Sequence, residues 1–370
     1  MKKVVTAAVL TLMAALLITG CGQSSDTIKI GVVGAHSGDL ASYGLPTVKA
    51  AELVVAEWNE RGGIMGKQIE LVIEDDVCKP EVAANSAAKV VGEGVVAVIG
   101  HICSGATKSA LGIYSEAGIP AISPSATNPP LTKSGEYGNF FRTIAPDDAQ
   151  AQTDAEFIVD YLGLSKVAVL HDKQDYGKGF ADFSVESLEN LGVEIVLYEG
   201  ITAGAVDYSA ILTKIANSDA EGILYGGYHP EASKLVQQMS QMGLDIPFVS
   251  DDGVKDDTFV KVAGEYAEGV YASGPRDTSS NPMYAAAVEE HKKVYGEDPG
   301  AFFINAYAAA EALMTAIANA ESTDGEDIMR ALRSNYVDTP LGSISFDEKG
   351  DAIGVGFAVY QVQNGVYVEL

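Results

Sequence analysis

The sequence predicts an α/β protein of two lobes, each a doubly wound parallel sheet covered by helices. Three observations support this prediction. Short apolar runs alternate with amphipathic runs along most of the 370 residues. The alternation stops and restarts near Ala149. The C-terminal part carries long helical segments but too few strands for a third lobe. Strand–helix alternation is typical of parallel sheets with helices on both faces.

The predicted first lobe begins with the apolar run that follows Thr27. Its first helix has an amphipathic pattern and ends at the Gly62-Gly63 pair, which favours a helix stop. Each later strand is a short hydrophobic run bounded by polar or glycine residues. In chain order the elements are strand 28–33, helix 47–61, strand 68–74, helix 81–92, strand 95–100, helix 106–117 and strand 119–122.

The predicted second lobe repeats this pattern from Ala149 onward. Its elements are helix 149–162, strand 166–170, helix 179–191, strand 194–198, helix 208–217, strand 222–226, helix 231–242 and strand 247–250. After a further strand at 269–272, helices are predicted at 281–295, 301–321 and 327–334. The tail alternates like a β-hairpin with Asn364-Gly365 at its turn.

The C-terminal elements are expected to return to both lobes. The long helices would pack on the first lobe and the tail on the second, with crossovers near 141–147, 271–277 and 342–353. Several crossovers would form a hinge instead of a flexible tether. The expected division is a first lobe of 27–145 and 276–345 and a second lobe of 146–275 and 346–370.

The N-terminus resembles a bacterial lipoprotein leader. A cationic start at Lys2 and Lys3 precedes an uncharged apolar stretch, as in secretory signals. Residues 17–21, Leu-Ile-Thr-Gly-Cys, resemble a lipobox, in which Cys21 is lipidated. An uncleaved membrane anchor is the alternative, although the stretch is slightly short for a span. We expect a signal peptide at 1–20, a lipidated tether at 21–26 and an extracytoplasmic, membrane-anchored protein, at the cell surface or in the periplasm.

The charge balance excludes some partners. There are 24 Lys and Arg against 51 Asp and Glu, a formal charge of −27. Nucleic-acid binding needs a basic face, so no nucleic-acid partner is expected. A hydrophobic content of 47% argues against disorder.

Two cysteines remain after Cys21. Cys78 and Cys103 each follow a strand-like run, so they would lie at adjacent strand ends in an oxidising compartment. A disulfide is predicted, worth about 3 kcal/mol on the loop-entropy model. Two unpaired thiols, or a Cys pairing with His101, are the alternatives.

Polar residues cluster where the predicted parallel strands end, which is where ligands bind in such sheets. The first lobe offers the hydroxyls of Ser104, Ser125 and Thr127 beside a helix N-terminus, a plausible seat for a carboxylate. An ordinary N-cap role for Ser104 and ordinary loop chemistry for the other two remain open.

The second lobe offers Asp252 for an ammonium group, with Tyr176 and Tyr228 to close over an apolar body. A solvated turn at Asp251 and Asp252 and a purely structural Tyr176 are the alternatives. His101, His171 and His229 follow strands without metal-ligand spacing, and loop bracing is their expected role.

No catalytic set is present in the sequence. There is no Gly-x-Ser-x-Gly elbow and no phosphate-binding loop, and five His and three Cys leave little for a zinc site. The protein is therefore expected to be a non-enzyme without a cofactor.

Nine ordered stretches resemble the branched-chain amino acid binding proteins of ABC importers, a family of type I periplasmic binding proteins. The stretches are GVVGAHSG at 31–38, GGIMG at 62–66, DDVC at 75–78, IGHICS at 99–104, SPSAT at 123–127, HDKQDYG at 171–177, EGITAG at 199–204, YGGYHPE at 225–231 and FDEKGD at 346–351. They cover nearly all of the chain after the leader, and the ordered set is more specific than any one stretch.

The resemblance implies roles for the matching residues. Ser104 and Thr127, with backbone N–H groups of the 125–127 turn at Ser125 and Ala126, look like carboxylate binders. The residues that look like pocket or closing side chains are Tyr43, Tyr176, Tyr228 and Phe302. Cys78 and Cys103 match the family disulfide. The implied protein is a monomer that delivers Leu, Ile or Val to a membrane permease.

Two positions depart from the leucine/isoleucine/valine receptors of this family. Ser125 stands in place of alanine, and Asp252 stands in place of the ammonium-binding glutamate. Both departures leave the preferred amino acid open. Other readings on the same fold are a receptor for a different amino acid and a sensor of an amide, urea or other metabolite. An extracellular hydrolase would need a nucleophile and base in contact, and neither is visible.

Overall fold

A computed structural model describes residues 27–370. The predicted signal peptide, the lipidation site Cys21 and the tether lie outside the described residues. Within 27–370, no helix combines the length and apolar character that crossing a membrane requires.

The first sheet is entirely parallel. Its strands are β1 (Ile28–Gly34), β2 (Ile69–Asp75), β3 (Ala97–Gly100), β4 (Ala121–Ser123) and β5 (Phe140–Arg142). Their order is β2-β1-β3-β4-β5. The helices between them are α1 (Ala41–Glu60), α2 (Pro80–Gly92), α3 (Ser104–Glu116) and the single turn α4 (Pro130–Lys133). β5 was not predicted as a strand. It overlaps the beginning of the expected 141–147 crossover.

Helix α1 begins at Ala41, six residues before its predicted start. Gly44 and Pro46 disfavour a helix locally, but buried packing of this first turn overrides that preference. A Cβ on Gly44 would lie 1.9 Å from the carbonyl oxygen of Ala35. Glycine therefore lets α1 approach the end of β1, and this approach carries Tyr43 into the space between the lobes.

The second sheet has seven strands, five of which are parallel. These are β6 (Lys166–His171), β7 (Glu194–Gly200), β8 (Gly222–Gly226), β9 (Phe248–Ser250) and β10 (Tyr271–Pro275). The sheet order is β15-β14-β10-β9-β8-β6-β7, where β14 is Phe357–Gln363 and β15 is Val366–Glu369. Its helices are α5 (Asp147–Glu156, continued by a π-turn over Phe157–Tyr161), α6 (Asp175–Asn190), α7 (Ser209–Ala216), α8 (His229–Met242) and α9 (Asp257–Ala263, followed by a 3₁₀ turn over Gly264–Ala267).

The predicted hairpin at the tail is present. Strands β14 and β15 are antiparallel, and Gln363 pairs with Val366 across Asn364 and Gly365. These two turn residues have φ of 53° and 76°, the left-handed conformation that a two-residue hairpin turn of this kind needs. Strand β14 also pairs with β10, which attaches the tail to the second sheet.

Three C-terminal helices, α10 (Pro282–Tyr295), α11 (Phe303–Ala320) and α12 (Gly325–Ser334), pack on the first lobe. Alanine strongly favours the helical conformation, and the alanines of α11 are also small enough for close packing. Ala308, Ala312 and Ala316 are buried in the same apolar core as Val54 and Ile30.

A small antiparallel sheet follows, with strands β11 (Val337–Thr339), β12 (Gly342–Phe346) and β13 (Ala352–Ile353). Ile344 and Phe346 lie in the core of the first lobe. We infer that the third crossover lies between Ile353 and Phe357, near the end of the expected 342–353 range. The two parallel sheets flanked by helices confirm the predicted α/β fold class.

Candidate ligand-binding site

A small cavity lies between the two lobes, at the carboxyl ends of their parallel strands. Its lining comes from both lobes and from the C-terminal part, and consists of Tyr43, Ile102, Cys103, Ser104, Ser125, Tyr176, Tyr228, Asp252, Gly253 and Phe302. Seven of the nine ligand-binding residues predicted above are in this lining.

The first-lobe wall contains the N-terminus of α3. Ser104 is the first residue of this 13-residue helix, and Cys103 occupies the N-cap position without a side-chain cap. Ser104 is therefore not the N-cap, which was the alternative reading of this residue. Its Oγ accepts from the backbone N–H of Asn128 at 3.3 Å. The first N–H groups of a helix have no intrahelical acceptor, and the positive end of the helix dipole favours an anion there.

The turn after β4 packs behind Ser104. The Ser125 hydroxyl, although at the cavity, donates to the carbonyl oxygen of Ile102 at 2.9 Å. Because its proton is used in this bond, the Ser125 oxygen can only accept a hydrogen bond from a ligand. The Ala126 N–H donates to Ser123 Oγ at 2.9 Å, and the Ala126 carbonyl accepts from Arg142. Both backbone groups of Ala126 are thus engaged, the N–H within the turn and the carbonyl with Arg142 of β5.

Thr127 and Ala126 are fully buried and do not contribute to the cavity lining. The Thr127 hydroxyl lies near the Asp147 carboxyl but makes no well-formed hydrogen bond within the described residues. A buried hydroxyl without a partner is unusual. Thr127 is positioned beside Asp147 and outside the cavity lining.

Asp252 forms the polar end of the second-lobe wall. Its relative exposure is 2% and that of Asp251 is 0%, so a solvated turn, the alternative reading, is wrong. Asp252 Oδ1 accepts from the Tyr176 hydroxyl at 2.5 Å. Burial raises the pKa of Asp252 to about 6, while hydrogen bonds from Tyr176 and Gln150 counteract part of that rise.

Four aromatic rings form the apolar wall. The Tyr43 ring centroid lies 5.9 Å from that of Tyr228 and 5.8 Å from that of Phe302. Tyr176 lies 5.1 Å from Tyr228. These separations are within the contact range of aromatic pairs. Tyr176 and Tyr228 belong to the second lobe and Tyr43 to the first, so the wall spans both lobes.

The lobes are in direct contact around the cavity, so the structure is a closed conformation. Tyr43 Oη lies 2.5 Å from the Gly253 carbonyl oxygen. On the opposite side, Asn128 donates to the Asp175 carbonyl at 2.6 Å, and Lys108 pairs with the Asp175 carboxylate at 3.0 Å. A Cβ on Gly253 would approach Gly227 O to 2.5 Å, so glycine lets this loop lie flat against its neighbour.

The three histidines after strands have different roles. His101 bonds Asp76 and Tyr114 in the buried interior, and His171 accepts from Lys173 N; both brace loops as expected. His229 Nδ1 instead lies 2.5 Å from Tyr43 Oη and so contacts the other lobe. Loop bracing is therefore an incomplete description of His229. Its partner Tyr43 lies on the other lobe, and sequence spacing does not predict contacts between the lobes.

Cys78 follows β2 and Cys103 follows β3, and their Cα atoms are 5.6 Å apart. This separation is typical of a disulfide. Contrary to the expectation from the sequence, the two strands are not adjacent, because β1 lies between them. His101 is engaged with Asp76 and Tyr114, which leaves no support for a Cys–His dyad.

Several residues of the site were not found from the sequence. Ile102 and Gly253 line the cavity, and Gln150 contacts Asp252 from α5. Asp147, whose buried carboxyl lies near Asp252, also belongs to α5. Helix α5 was predicted, but no local pattern indicated that it faces the site. Among residues 27–370, no group of three or more His, Cys, Asp or Glu is arranged to hold a metal ion.

Comparisons with known proteins agree with this geometry. A family model described as periplasmic binding protein matches residues 27–366. The "Leucine-, isoleucine-, valine-, threonine-, and alanine-binding protein" of Pseudomonas aeruginosa is 38% identical over 353 residues, covering 95% of this chain and 94% of that protein.

Solved structures of two relatives share the architecture. The branched-chain amino acid transporter substrate-binding protein of Streptococcus pneumoniae, in complex with isoleucine, has a TM-score of 0.83 at 32% identity. The match covers 93% of this chain and 100% of that one. A leucine-binding protein from Thermotoga maritima has a TM-score of 0.87 at 28% identity, covering 93% of this chain and 98% of the other.

Proposed function

The chain belongs to the periplasmic binding protein family, and from this we propose that it captures a branched-chain amino acid between its lobes and delivers it to the membrane permease of an ABC importer. Membership of a family of binding proteins also agrees with the prediction that the chain is not an enzyme. The family implies an extracytoplasmic location.

The observation that carries the proposal is the pairing of a helix N-terminus with a buried carboxylate across one small cavity. The N–H groups of α3 and the Ser104 hydroxyl suit the α-carboxylate of an amino acid. Asp252 suits its α-ammonium, since a charge-assisted hydrogen bond is strong in a desolvated site. The second oxygen of Asp252 is available for this contact because Tyr176 donates to Oδ1.

The aromatic wall supports an aliphatic side chain. Tyr43, Tyr176, Tyr228 and Phe302 present ring faces and edges, and the exposed cavity surface is predominantly apolar. Burying apolar surface contributes about 25 cal/mol per Å², which favours a branched aliphatic group over a polar one of similar size.

Closure follows from contacts that need both lobes. A ligand that bridges α3 and Asp252 is bound fully only when the lobes meet, so it shifts the population towards the closed conformation. The bonds of Tyr43 to Gly253 and of Asn128 to Asp175 add to the stability of that conformation. The closed conformation would present the ligand to the permease.

The remaining parts of the proposal concern attachment and assembly. We infer that cleavage before Cys21 and its lipidation anchor the protein, that Cys78 and Cys103 form a disulfide outside the cytoplasm, and that the protein works as a monomer without nucleic acid. Replacing Cys21 with serine is expected to release the protein from membranes, and analytical ultracentrifugation of the leaderless chain should give one species of monomer mass.

A thermal-shift screen tests the proposed ligand class. The leaderless protein would be heated with each of the common amino acids and with simple amides. A ligand present at 1,000 times its Kd stabilises a protein by about 4 kcal/mol, which such a screen detects. Stabilisation by Leu, Ile or Val is expected. A response to amides but to no aliphatic amino acid would reject the proposed ligand.

A further inference from the structure

Gln150 connects helix α5 to the ammonium side of the cavity. Its side-chain amide has one end near Asp252 Oδ1, at 3.2 Å, and the other near both Asp252 N, at 2.9 Å, and Ser273 Oγ, at 2.8 Å. The amide carbonyl accepts and the NH₂ group donates, so only one orientation complements the carboxylate and the backbone N–H together. In that orientation Nε2 donates to Asp252 Oδ1, and Oε1 accepts from Asp252 N and from the Ser273 hydroxyl.

The opposite orientation of the amide is unfavourable at two contacts. Nε2 would then donate to Ser273 Oγ, but it would also face the Asp252 N–H, and Oε1 would face the Asp252 carboxylate. Both contacts place like groups together. The two orientations also require different roles of Ser273. Its hydroxyl donates to Oε1 in the favoured orientation, but accepts from Nε2 in the opposite one.

Ser273 lies between Gln150 and Asp154. Its Oγ is 2.8 Å from Asp154 Oδ2, and the Ser250 carbonyl, at 3.5 Å, is a distant alternative acceptor. If the hydroxyl donates to Gln150 Oε1, it cannot also donate to Asp154. The short contact with Asp154 is then a hydrogen bond only if Asp154 carries a proton and donates it to Ser273.

The surroundings of Asp154 agree with a protonated side chain. Its relative exposure is 0%, and Oδ1 has no hydrogen-bond partner among the described residues. Burial raises the pKa of Asp154 well above its ordinary value; the contact with Ser273 counteracts part of that rise, and the nearby charge of Asp252 adds to it. An ionised carboxylate with a single hydroxyl donor would leave one charged oxygen without compensation, which is costly in a buried position.

We propose that Gln150 is a positioning residue for the ammonium site, and that a proton on Asp154, relayed through Ser273, fixes the Gln150 amide so that it donates to Asp252. The hydrogen-bond chain runs from Asp154 Oδ2–H to Ser273 Oγ, from Ser273 to Gln150 Oε1, and from Gln150 Nε2 to Asp252 Oδ1. This inference rests on the proposed role of Asp252 in holding the ligand ammonium.

The consequence for Asp252 is a lower affinity for protons and a fixed orientation. Gln150 and Tyr176 both donate to Oδ1, which favours the ionised form and leaves Oδ2 for the ligand. Among residues 27–370, the other titratable groups that interact electrostatically with Asp252 are Asp147 and Asp154 on α5, Tyr228 beside α8, and Asp251, and each opposes its ionisation or is neutral at pH 7.

The first test replaces Gln150 with methionine, which has a similar shape but no donor. Calorimetric titration with L-leucine and L-isoleucine between pH 4.5 and 8 would give Kd and the pH at which affinity falls on the acid side. In Gln150→Met we expect Kd to rise about tenfold at pH 7.5, because a hydrogen bond to a charged group is lost. We also expect the acid midpoint to move upward. A role limited to packing would leave that midpoint unchanged.

The matched control is Gln152→Met. Gln152 lies on the same helix, is exposed, and bonds only Glu156 among the described residues. Its Kd and acid midpoint should equal those of the wild type. Equal values for Gln150→Met as well would overturn the positioning role.

The second test concerns the proton on Asp154 and uses Asp154→Asn. A neutral amide in place of a neutral acid should leave the acid midpoint of Asp252 unchanged. If Asp154 were ionised, removing its charge would move the midpoint to lower pH, and the relay would be wrong.

An infrared difference spectrum between the wild type and Asp154→Asn needs no ligand and no folded Gln150 variant. At pH 7 it should show the carbonyl stretch of a protonated carboxylic acid in the wild type. Carboxylate bands in its place would overturn the relay. If no branched-chain amino acid binds the wild type, the proposed function fails while the infrared result still decides the protonation of Asp154.

Discussion

Tyr43 Oη lies 2.5 Å from His229 Nδ1, although the two residues belong to different lobes. The same oxygen lies 2.5 Å from the Gly253 carbonyl, which can only accept. The single hydroxyl proton therefore points to Gly253, and His229 must carry a proton on Nδ1 to donate to Tyr43. Burial lowers the pKa of His229, so the neutral imidazole can provide this bond. The phenol thus joins the two lobes at the cavity.

Removing this hydroxyl should weaken ligand binding without removing the aromatic wall. In Tyr43→Phe the ring remains, but Gly253 O and His229 Nδ1 lose their partner in the closed conformation. With each of these two neutral hydrogen bonds contributing about 0.7 kcal/mol, we expect a Kd about tenfold higher. Tyr336→Phe, at an exposed position, is the control. Equal affinities of both variants would show that the bridge does not stabilise closure.

Asp252→Asn should lower affinity much more strongly. The ligand ammonium would lose the counter-charge of Asp252 while remaining desolvated. Truncating one partner of a buried charge pair costs about 2–5 kcal/mol, at least a thirtyfold rise in Kd. Calorimetry would measure this, with Asp245→Asn, an exposed carboxylate on the same lobe, as the control. Unchanged affinity in Asp252→Asn would remove this residue from the ammonium role.

The affinity of the wild type should depend on pH in a specific direction. The ligand binds the ionised form of Asp252, whose pKa is raised to about 6 by burial. Affinity should therefore be constant above this pH and should fall as pH decreases through it, by up to tenfold per pH unit. Titrations from pH 8 to 4.5 would detect the change. A flat profile over this range would contradict the assignment of the ammonium contact to Asp252.

Loss of the Cys78–Cys103 pair should destabilise the first lobe. A loop of this length contributes about 3 kcal/mol on the chain-entropy model. We expect Cys78→Ala/Cys103→Ala and the reduced wild type to lose this amount in urea unfolding, and the double variant to be insensitive to reductant. If reductant did not change wild-type stability, the two thiols would be unpaired.

Much of this site was predictable from the strand ends. Because ligands bind at the carboxyl edge of parallel sheets, Ser104, Ser125, Tyr176 and Asp252 were selected by their position after a strand, and all four line the cavity. Thr127 was selected by the same rule and Ala126 through the family resemblance, but their turn packs both just behind the lining.

The unpredicted residues depend on tertiary packing. Gln150, Asp154 and Ser273 meet because α5 lies across β10 beside the end of β9, and helical periodicity states only that α5 has one buried face. His229 was noted after its strand, but its contact with Tyr43 requires both the closed lobes and the early start of α1. The amphipathic pattern placed that start at residue 47, six residues too late, and Gly44 and Pro46, which disfavour a helix locally, lie in the part that was missed.

The most direct test of the proposed function is a crystal structure of the leaderless protein with L-leucine or L-isoleucine. The ligand carboxylate should lie against the N-terminus of α3 and Ser104, the ammonium within hydrogen-bond distance of Asp252, and the aliphatic group among Tyr43, Tyr176, Tyr228 and Phe302. An amino acid bound in the reverse orientation, or outside the space between the lobes, would contradict this account.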